Sequence, residues 1–322
     1  MNLPSRPKAD PGLRRKQVPA KTANLALARQ RRATARAREC FLRACALDVA
    51  VRKPGNVSWE SPGHGMGAEM FIASAQAAAT ALFQPGLRVG ARVEAAVAAT
   101  WAVAGCNTNL GILLLCAPIA VAVQRHPEAA TADALKLAIG EVLADLDLAD
   151  AQAAFRAIAR ARPGGLGRAP SQDVRDPPSV DLRAAMTLAA PRDSIARQYR
   201  DGFADLFDAV TPALDAGFSL ISPRATGRPD AGTVATVQRL YLWLLSRFAD
   251  SHIVRNHGDA VAHIVMTAAQ DWRLRALRQG GVGACPEFAA WDASLKADRI
   301  NPGTTADLTV AALLIAGLCG PS

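Results

Sequence analysis

Two stretches of the chain, Arg92 to Ala104 and Asp145 to Arg162, contain neither proline nor glycine and are built chiefly on alanine. Alanine loses no side-chain entropy in a helix, and the straight-chain Leu and Arg that accompany it lose little. A sheet protein needs β-branched and aromatic residues at alternating positions. Here aromatics are 5% of the chain, and no segment alternates apolar with polar residues. The apolar spacing predicts helices over Thr22 to about Asp48, Glu69–Phe83, Val89–Ala104, Leu110–Gln124, Thr131–Leu148 and Ala149–Ala161. It predicts more over Asp181–Ala189, Asp193–Ala209, Val234–Phe248, Asp259–Leu277, Cys285–Ala297 and Thr304–Leu318. Two irregular stretches rich in Gly and Pro, Arg52 to Gly67 and Arg162 to Pro178, interrupt the series. The second is long enough to be a domain linker or a functional surface loop. The expected architecture is all-α, a single-domain multi-helix bundle over residues 39–322.

The net charge of +9 raises the question of nucleic acid or membrane. Its position answers it. Residues 1–39 carry eleven Lys and Arg against Asp10 and Glu39, which accounts for the whole excess and leaves 26 residues of each sign elsewhere. Pro4, Pro7, Pro11 and Pro19 punctuate the start of this segment. Residues 1–38 are therefore expected to be a basic, disordered tail, and any contact with nucleic acid is expected only there. The longest apolar run, Leu110 to Val123, contains Pro118 and falls short of the about 20 residues a spanning helix needs, so it is expected in the core. No membrane partner is expected. The six cysteines form no CxxC pair, and the basic N-terminus lacks the apolar segment of a secretory signal. Reduced thiols and a cytoplasmic location follow as expectations.

Four polar blocks between the helices carry residue types suited to chemistry. The first is Arg52-Lys53-Pro54-Gly55-Asn56-Val57, followed by His64. Its cations suit phosphate oxygens, and its turn can bring backbone N–H groups near an anion; it also reads as a plain turn with solvated charges. The second is Gly105-Cys106-Asn107-Thr108-Asn109-Leu110-Gly111, where Asn107 or Thr108 could cap the next helix and its N-terminus could face a phosphate. The third is Asp250-Ser251-His252 with Arg255, Asn256, His257 and Gly258. Asp250 suits Mg²⁺ or a helix cap, and the histidine spacing does not suit zinc. The fourth is Asn301-Pro302-Gly303-Thr304-Thr305-Ala306-Asp307, in which Thr304 and Asp307 have the spacing of a capping box. No phosphate-binding GxxxxGK[ST], GxGxxG or GxSxG is present.

Together with Phe71-Ile72-Ala73-Ser74-Ala75, and with the first block extended back to Ala46, these blocks resemble the triphosphoribosyl-dephospho-CoA synthase family, in order and over residues 40–320. The resemblance implies an all-helical enzyme that moves the 5-triphosphoribosyl group of ATP to the 2′-hydroxyl of 3′-dephospho-CoA and releases adenine. Two departures stand out. Asn109 and Leu110 occupy the place of a His-Lys pair in citrate-lyase members, and Gly65 and Met66 follow His64 where an acid is usual, Glu69 being the next one. In these the chain looks more like a branch found beside tetrahydromethanopterin biosynthesis genes, so a related transfer to a precursor of that cofactor is an alternative. A non-catalytic helical binding protein is another.

The resemblance and the use of ATP imply Mg²⁺, with Asp250 and Asp307 as its ligands. Asp307 and Asp250 are the candidate general bases, and His64 or His257 would assist the departing base. Arg52, Lys53, Gly55, Asn56, Asn107, Thr108, Asn109, Arg255, Asn301, Thr304 and Thr305 are expected to bind phosphate or sugar. The partners implied are ATP and dephospho-CoA or another hydroxyl acceptor.

Overall fold

The structure, a computed structural model, describes residues 20–220 and 228–320. Among them are fourteen helices and no strand. In chain order they are α1 (Ala20–Ala50), α2 (Ala68–Leu82), α3 (Val89–Ala104), α4 (Leu110–Arg125), α5 (Ala132–Ala144), α6 (Leu148–Ala161) and α7 (Leu182–Ala189). Then follow α8 (Ser194–Asp201), α9 (Ala204–Asp215), α10 (Ala231–Arg247), α11 (Ser251–His257), α12 (Asp259–Gln279), α13 (Pro286–Ala297) and α14 (Gly303–Cys319). No helix of the described residues is long and apolar enough to cross a membrane. Residues 1–19 of the expected tail lie outside the described residues. The rest of it, 20–38, is the N-terminal part of α1, so the expected boundary at 38 falls inside one continuous helix rich in Ala and Arg.

Helices apolar all round belong in the interior. The two such helices, α4 and α14, form its centre. Every residue of α4 from Leu110 to Gln124 is buried, and so is every residue of α14 from Leu308 to Leu318. α1, α3, α5 and α9 pack around this pair. A second apolar cluster joins α10, α12 and α13, where Trp272 lies 5.0 Å from Phe288 and 6.1 Å from Trp291, ring centre to ring centre.

Pro118 stands inside α4 and lacks the N–H that would bond the carbonyl four residues back, that of Leu114. The buried Tyr199 hydroxyl of α8 donates to that oxygen at 2.6 Å. The defect in one helix thus becomes the attachment point of another. Arg92, fully buried, performs a similar task where α2 ends. It donates to the carbonyls of Leu82 at 2.6 Å and Leu87 at 2.8 Å and to the Gln124 side chain, whose amide donates to Phe83 at 3.0 Å.

Two elements differ from the periodicity. The helix expected over 193–209 breaks at Gly202 and Phe203, both in the left-handed region (φ 65° and 63°), giving α8 and α9. Residues 251–257, expected as a loop, form the short helix α11 because Asp250 caps it, accepting from the N–H of His252 at 2.8 Å and Ile253 at 3.0 Å.

Tyr199→Phe leaves the Leu114 carbonyl without a donor inside the core. The expected loss is about 1–3 kcal/mol of stability, read as an earlier urea midpoint with unchanged slope.

Candidate active site

The polar blocks meet at a cavity of about 500 Å³ where α4, α8, α11 and α14 begin. Its polar lining includes Asp48 from the end of α1, Asn56 and His64 from the following loop, Asn107 to Asn109, His252, Arg255, Asn256 and His257, and Asn301, Thr304 and Asp307. The other wall comes from α6, α7, and the loop after α6.

The loop after α1 is held from several sides. Gly55, at φ +81°, donates its N–H to buried Asp292 at 2.9 Å, and the Tyr241 hydroxyl donates to the Pro54 carbonyl at 2.8 Å. A Cβ on Gly55 would lie 2.7 Å from Pro302, so the turn requires glycine. These anchors carry Asn56 to Asn301, whose amides bond at 3.0 Å, and place His64 over the Gly55 carbonyl at 2.8 Å. A carbonyl only accepts, so His64 Nε2 carries the proton of that bond.

Several expected residues turn out to serve this scaffold. Lys53 is fully buried and points back to Asp48, with Nζ 3.1 Å from Oδ1 and a hydrogen bond to the Asp48 carbonyl; it does not line the cavity. Arg52 lies outside the cavity between Glu60 at 3.6 Å and Asp292 at 3.9 Å. Gly55 and Thr305 also fall outside the lining. Asp250 is the plainest correction. Its Oδ1 caps α11, and its Oδ2 accepts from the Thr305 N–H and hydroxyl, both at 2.7 Å. Four donors fill a carboxylate's capacity, so Asp250 ties α11 to α14 and is spent as a base or metal ligand. Thr304 and Asp307 form no capping box, because α14 starts at Gly303 with Pro302 before it and no side-chain cap.

Asn56, His64, Asn107, Thr108, Asn109, Arg255, His257, Asn301, Thr304 and Asp307 do line the cavity. Asn107 accepts from the Leu110 N–H at 3.1 Å and so caps the first turn of α4, and Thr108 donates to Ser74 at 2.7 Å. Asn109 is 6% exposed and accepts from Thr100 at 3.1 Å, while its amide nitrogen finds no acceptor among the described residues. Arg255 is fixed by Asp193 at 2.8 Å. His257 lies 3.1 Å from the carbonyl of Arg299.

Asp307 is the distinctive group. It forms no hydrogen bond with the described residues, and loss of water together with the nearby charges of Asp48 and Asp250 holds its carboxyl well above the ordinary range. Burial also raises Asp48, against the pull of Lys53. Desolvation lowers His252, which keeps its ring neutral near pH 7.

Sequence reasoning passed over Asp48, Asp193, His252, Arg192 and Arg299 as site residues. Asp48 and His252 sit within or beside the quoted blocks. Arg192 and Arg299 carry no local signal. Arg299 reaches the rim from a left-handed backbone (φ 58°), as does His64 (φ 57°), and such strain in non-glycine residues gathers at functional sites. Among the described residues no group of three His, Cys, Asp or Glu is arranged to hold a metal.

A search of curated proteins finds no match. A provisional triphosphoribosyl-dephospho-CoA synthase from Archaeoglobus fulgidus, known from its crystal structure, shares the fold at a TM-score of 0.59 and 22% identity, over 77% of this chain and 99% of that one. The profile of the CitG family, ATP:dephospho-CoA triphosphoribosyl transferase, matches residues 34–322. That span takes in every helix from the middle of α1 onward and every residue lining the cavity, and the chain belongs to the ATP:dephospho-CoA triphosphoribosyl transferase family.

Proposed function

We propose that this cavity performs the family's transfer, with Asp307 as the general base for the acceptor hydroxyl. The single observation behind the assignment is a carboxyl that lines the cavity and forms no hydrogen bond with the described residues, where burial and the neighbouring carboxylates raise its proton affinity. A base works best when its proton affinity lies near the operating pH, and desolvation beside another carboxylate shifts it that way.

The 2′-hydroxyl oxygen of dephospho-CoA attacks the anomeric carbon of ATP. Its proton passes to Asp307, the bond from that carbon to the adenine nitrogen breaks, and the electron pair leaves with adenine, which is then protonated. Positive charge builds on the ribose ring as in glycoside cleavage. Asp48 and Asp307 face that charge. The ring of neutral His252 makes no hydrogen bond with the described residues, so it is the histidine best suited to hydrogen-bond the departing base. His64 and His257 each engage a carbonyl through Nε2 and orient the rim.

The triphosphate falls to Arg255, Arg192 and Arg299 in place of Arg52 and Lys53. Arg255 is pre-oriented by Asp193, while Arg192 and Arg299 make no ion pair among the described residues and reach the rim of the cavity. The amides of Asn56, Asn107, Asn109 and Asn301 suit ribose hydroxyls, and the unpartnered Asn109 nitrogen suits a ligand oxygen. Mg²⁺ fits the oxygen donors present. Asp48 would hold it, since Mg²⁺ takes one or two carboxylates and completes its shell with water and phosphate oxygens. When bound, the ion supplies charge neutralisation for the triphosphate. A cytoplasmic setting is in keeping with six unpaired cysteines.

Asp307→Asn is expected to lower adenine release from ATP and dephospho-CoA by at least about 10²-fold, followed by HPLC. Full turnover in the folded variant removes Asp307 from the chemistry. The same substitution has a predictable effect on stability without metal. A carboxyl whose proton affinity is raised by folding destabilises the native state above its ordinary pKa, so the wild-type chain bears this cost increasingly as pH rises. The variant should melt higher than wild type at pH 8, and the gap should close toward pH 4. Arg192→Ala is expected to raise KM for ATP about tenfold with kcat little changed, in steady-state kinetics.

A further inference from the structure

The cavity has two chemically different walls. The blocks already assigned supply the polar one. The other comes from Phe155 and Ile158 of α6, Leu166 and Val174 of the loop after α6, and Ala185 and Met186 of α7. Two polar side chains of that loop, Gln172 and Asp173, also line the cavity, but their polar atoms are used within the loop. Gln172 donates to the Ser179 hydroxyl at 2.8 Å and accepts from the Ser179 N–H at 3.0 Å. Asp173 accepts from the N–H of Ala169 at 2.8 Å, from the N–H of Arg175 at 3.0 Å and from the Arg175 guanidinium at 2.8 Å. These two side chains are therefore satisfied within the loop, whose remaining large side chains in the lining, Leu166 and Val174, are apolar.

A purine needs hydrogen-bond partners along its edge, and a phosphate needs cations. The side chains of this wall offer neither. The methyl and methylene groups of an uncharged pantetheine arm need only apolar contact and exclusion of water, and its two amides and hydroxyl can turn to the polar wall opposite. We propose that the wall built by α6, α7 and the loop after α6 is the subsite for the uncharged pantetheine arm of the acceptor, so that the enzyme recognises dephospho-CoA partly by a part of it that does not react. This rests on the transfer reaction assigned above. It gives Met186 and Leu166 a role in specificity, since burying the methyl and methylene groups of that arm discriminates against acceptors that lack it.

The test uses pantetheine as a dead-end inhibitor of the full chain and compares Met186→Glu with wild type. Pantetheine should compete with dephospho-CoA and not with ATP. Met186→Glu should raise KM for dephospho-CoA and the inhibition constant of pantetheine by about tenfold or more, leaving KM for ATP unchanged. Leu166→Asp, at a residue 42% exposed on the loop and so tolerant of charge, should act in the same direction if Met186→Glu does not fold. Pantetheine that competes with ATP, or variants that raise KM for ATP alone, would overturn the proposal and give the wall to the donor's base. Calorimetry with pantetheine alone keeps this claim separate from the reaction. Binding that depends on Met186 without any adenine release sinks the reaction and keeps the subsite. Adenine release with neither binding nor competition by pantetheine sinks the subsite and keeps the reaction.

Discussion

The close approach that bears most on function is between the first turn of α4 and Asp307, just past the first turn of α14. A Cβ on Gly111 would lie 2.1 Å from Oδ2 of Asp307 and 2.6 Å from the Ile195 side chain. Only a residue without a side chain lets the two core helices meet with a carboxyl between them. The rest of each helix is apolar and buried, so packing along their length fixes this contact from behind. The positive end of α4 partly offsets the cost of bringing a carboxyl there. Tyr199 then fastens α8 to the proline defect of α4, which brings Asp193 and Ile195 to the same cavity.

Three aspartates gather around this contact, and the chain treats each differently. Asp48 has a buried lysine partner, Asp250 has four hydrogen-bond donors, and Asp307 has neither among the described residues. Removing partners from a desolvated carboxyl costs stability and raises its proton affinity. Asp250 is taken up by the frame, Asp48 lines the cavity while tied to Lys53, and Asp307 lines it without such a partner among the described residues. Environments that push like groups apart in this way are a common sign of divided chemical roles.

Much of this was legible in the sequence. Alanine-rich runs without Gly or Pro gave the helices, and the apolar runs at 110–123 and 308–319 gave the two core helices. The polar blocks meet at one cavity because the starts of α4, α11 and α14 lie side by side there. What local pattern does not encode is which way a polar side chain turns. Lys53 looks like a phosphate ligand until its burial beside Asp48 is seen, and Asp250 looks like a metal ligand until Thr305 fills its second oxygen. Arg192 and Arg299 were silent for the converse reason. They stand in turns with no motif around them, and only tertiary packing brings them to the rim. The break at Gly202 was hidden because Phe203 adopts a left-handed backbone that its side chain does not advertise.

The most direct measurement is a crystal structure of the protein with ATP and dephospho-CoA under conditions too slow for turnover. The acceptor's 2′-hydroxyl is expected within about 3 Å of the Asp307 carboxyl, with the triphosphate running toward Arg192, Arg255 and Arg299. ATP bound elsewhere, or bound here with its anomeric carbon far from Asp307, would contradict this assignment.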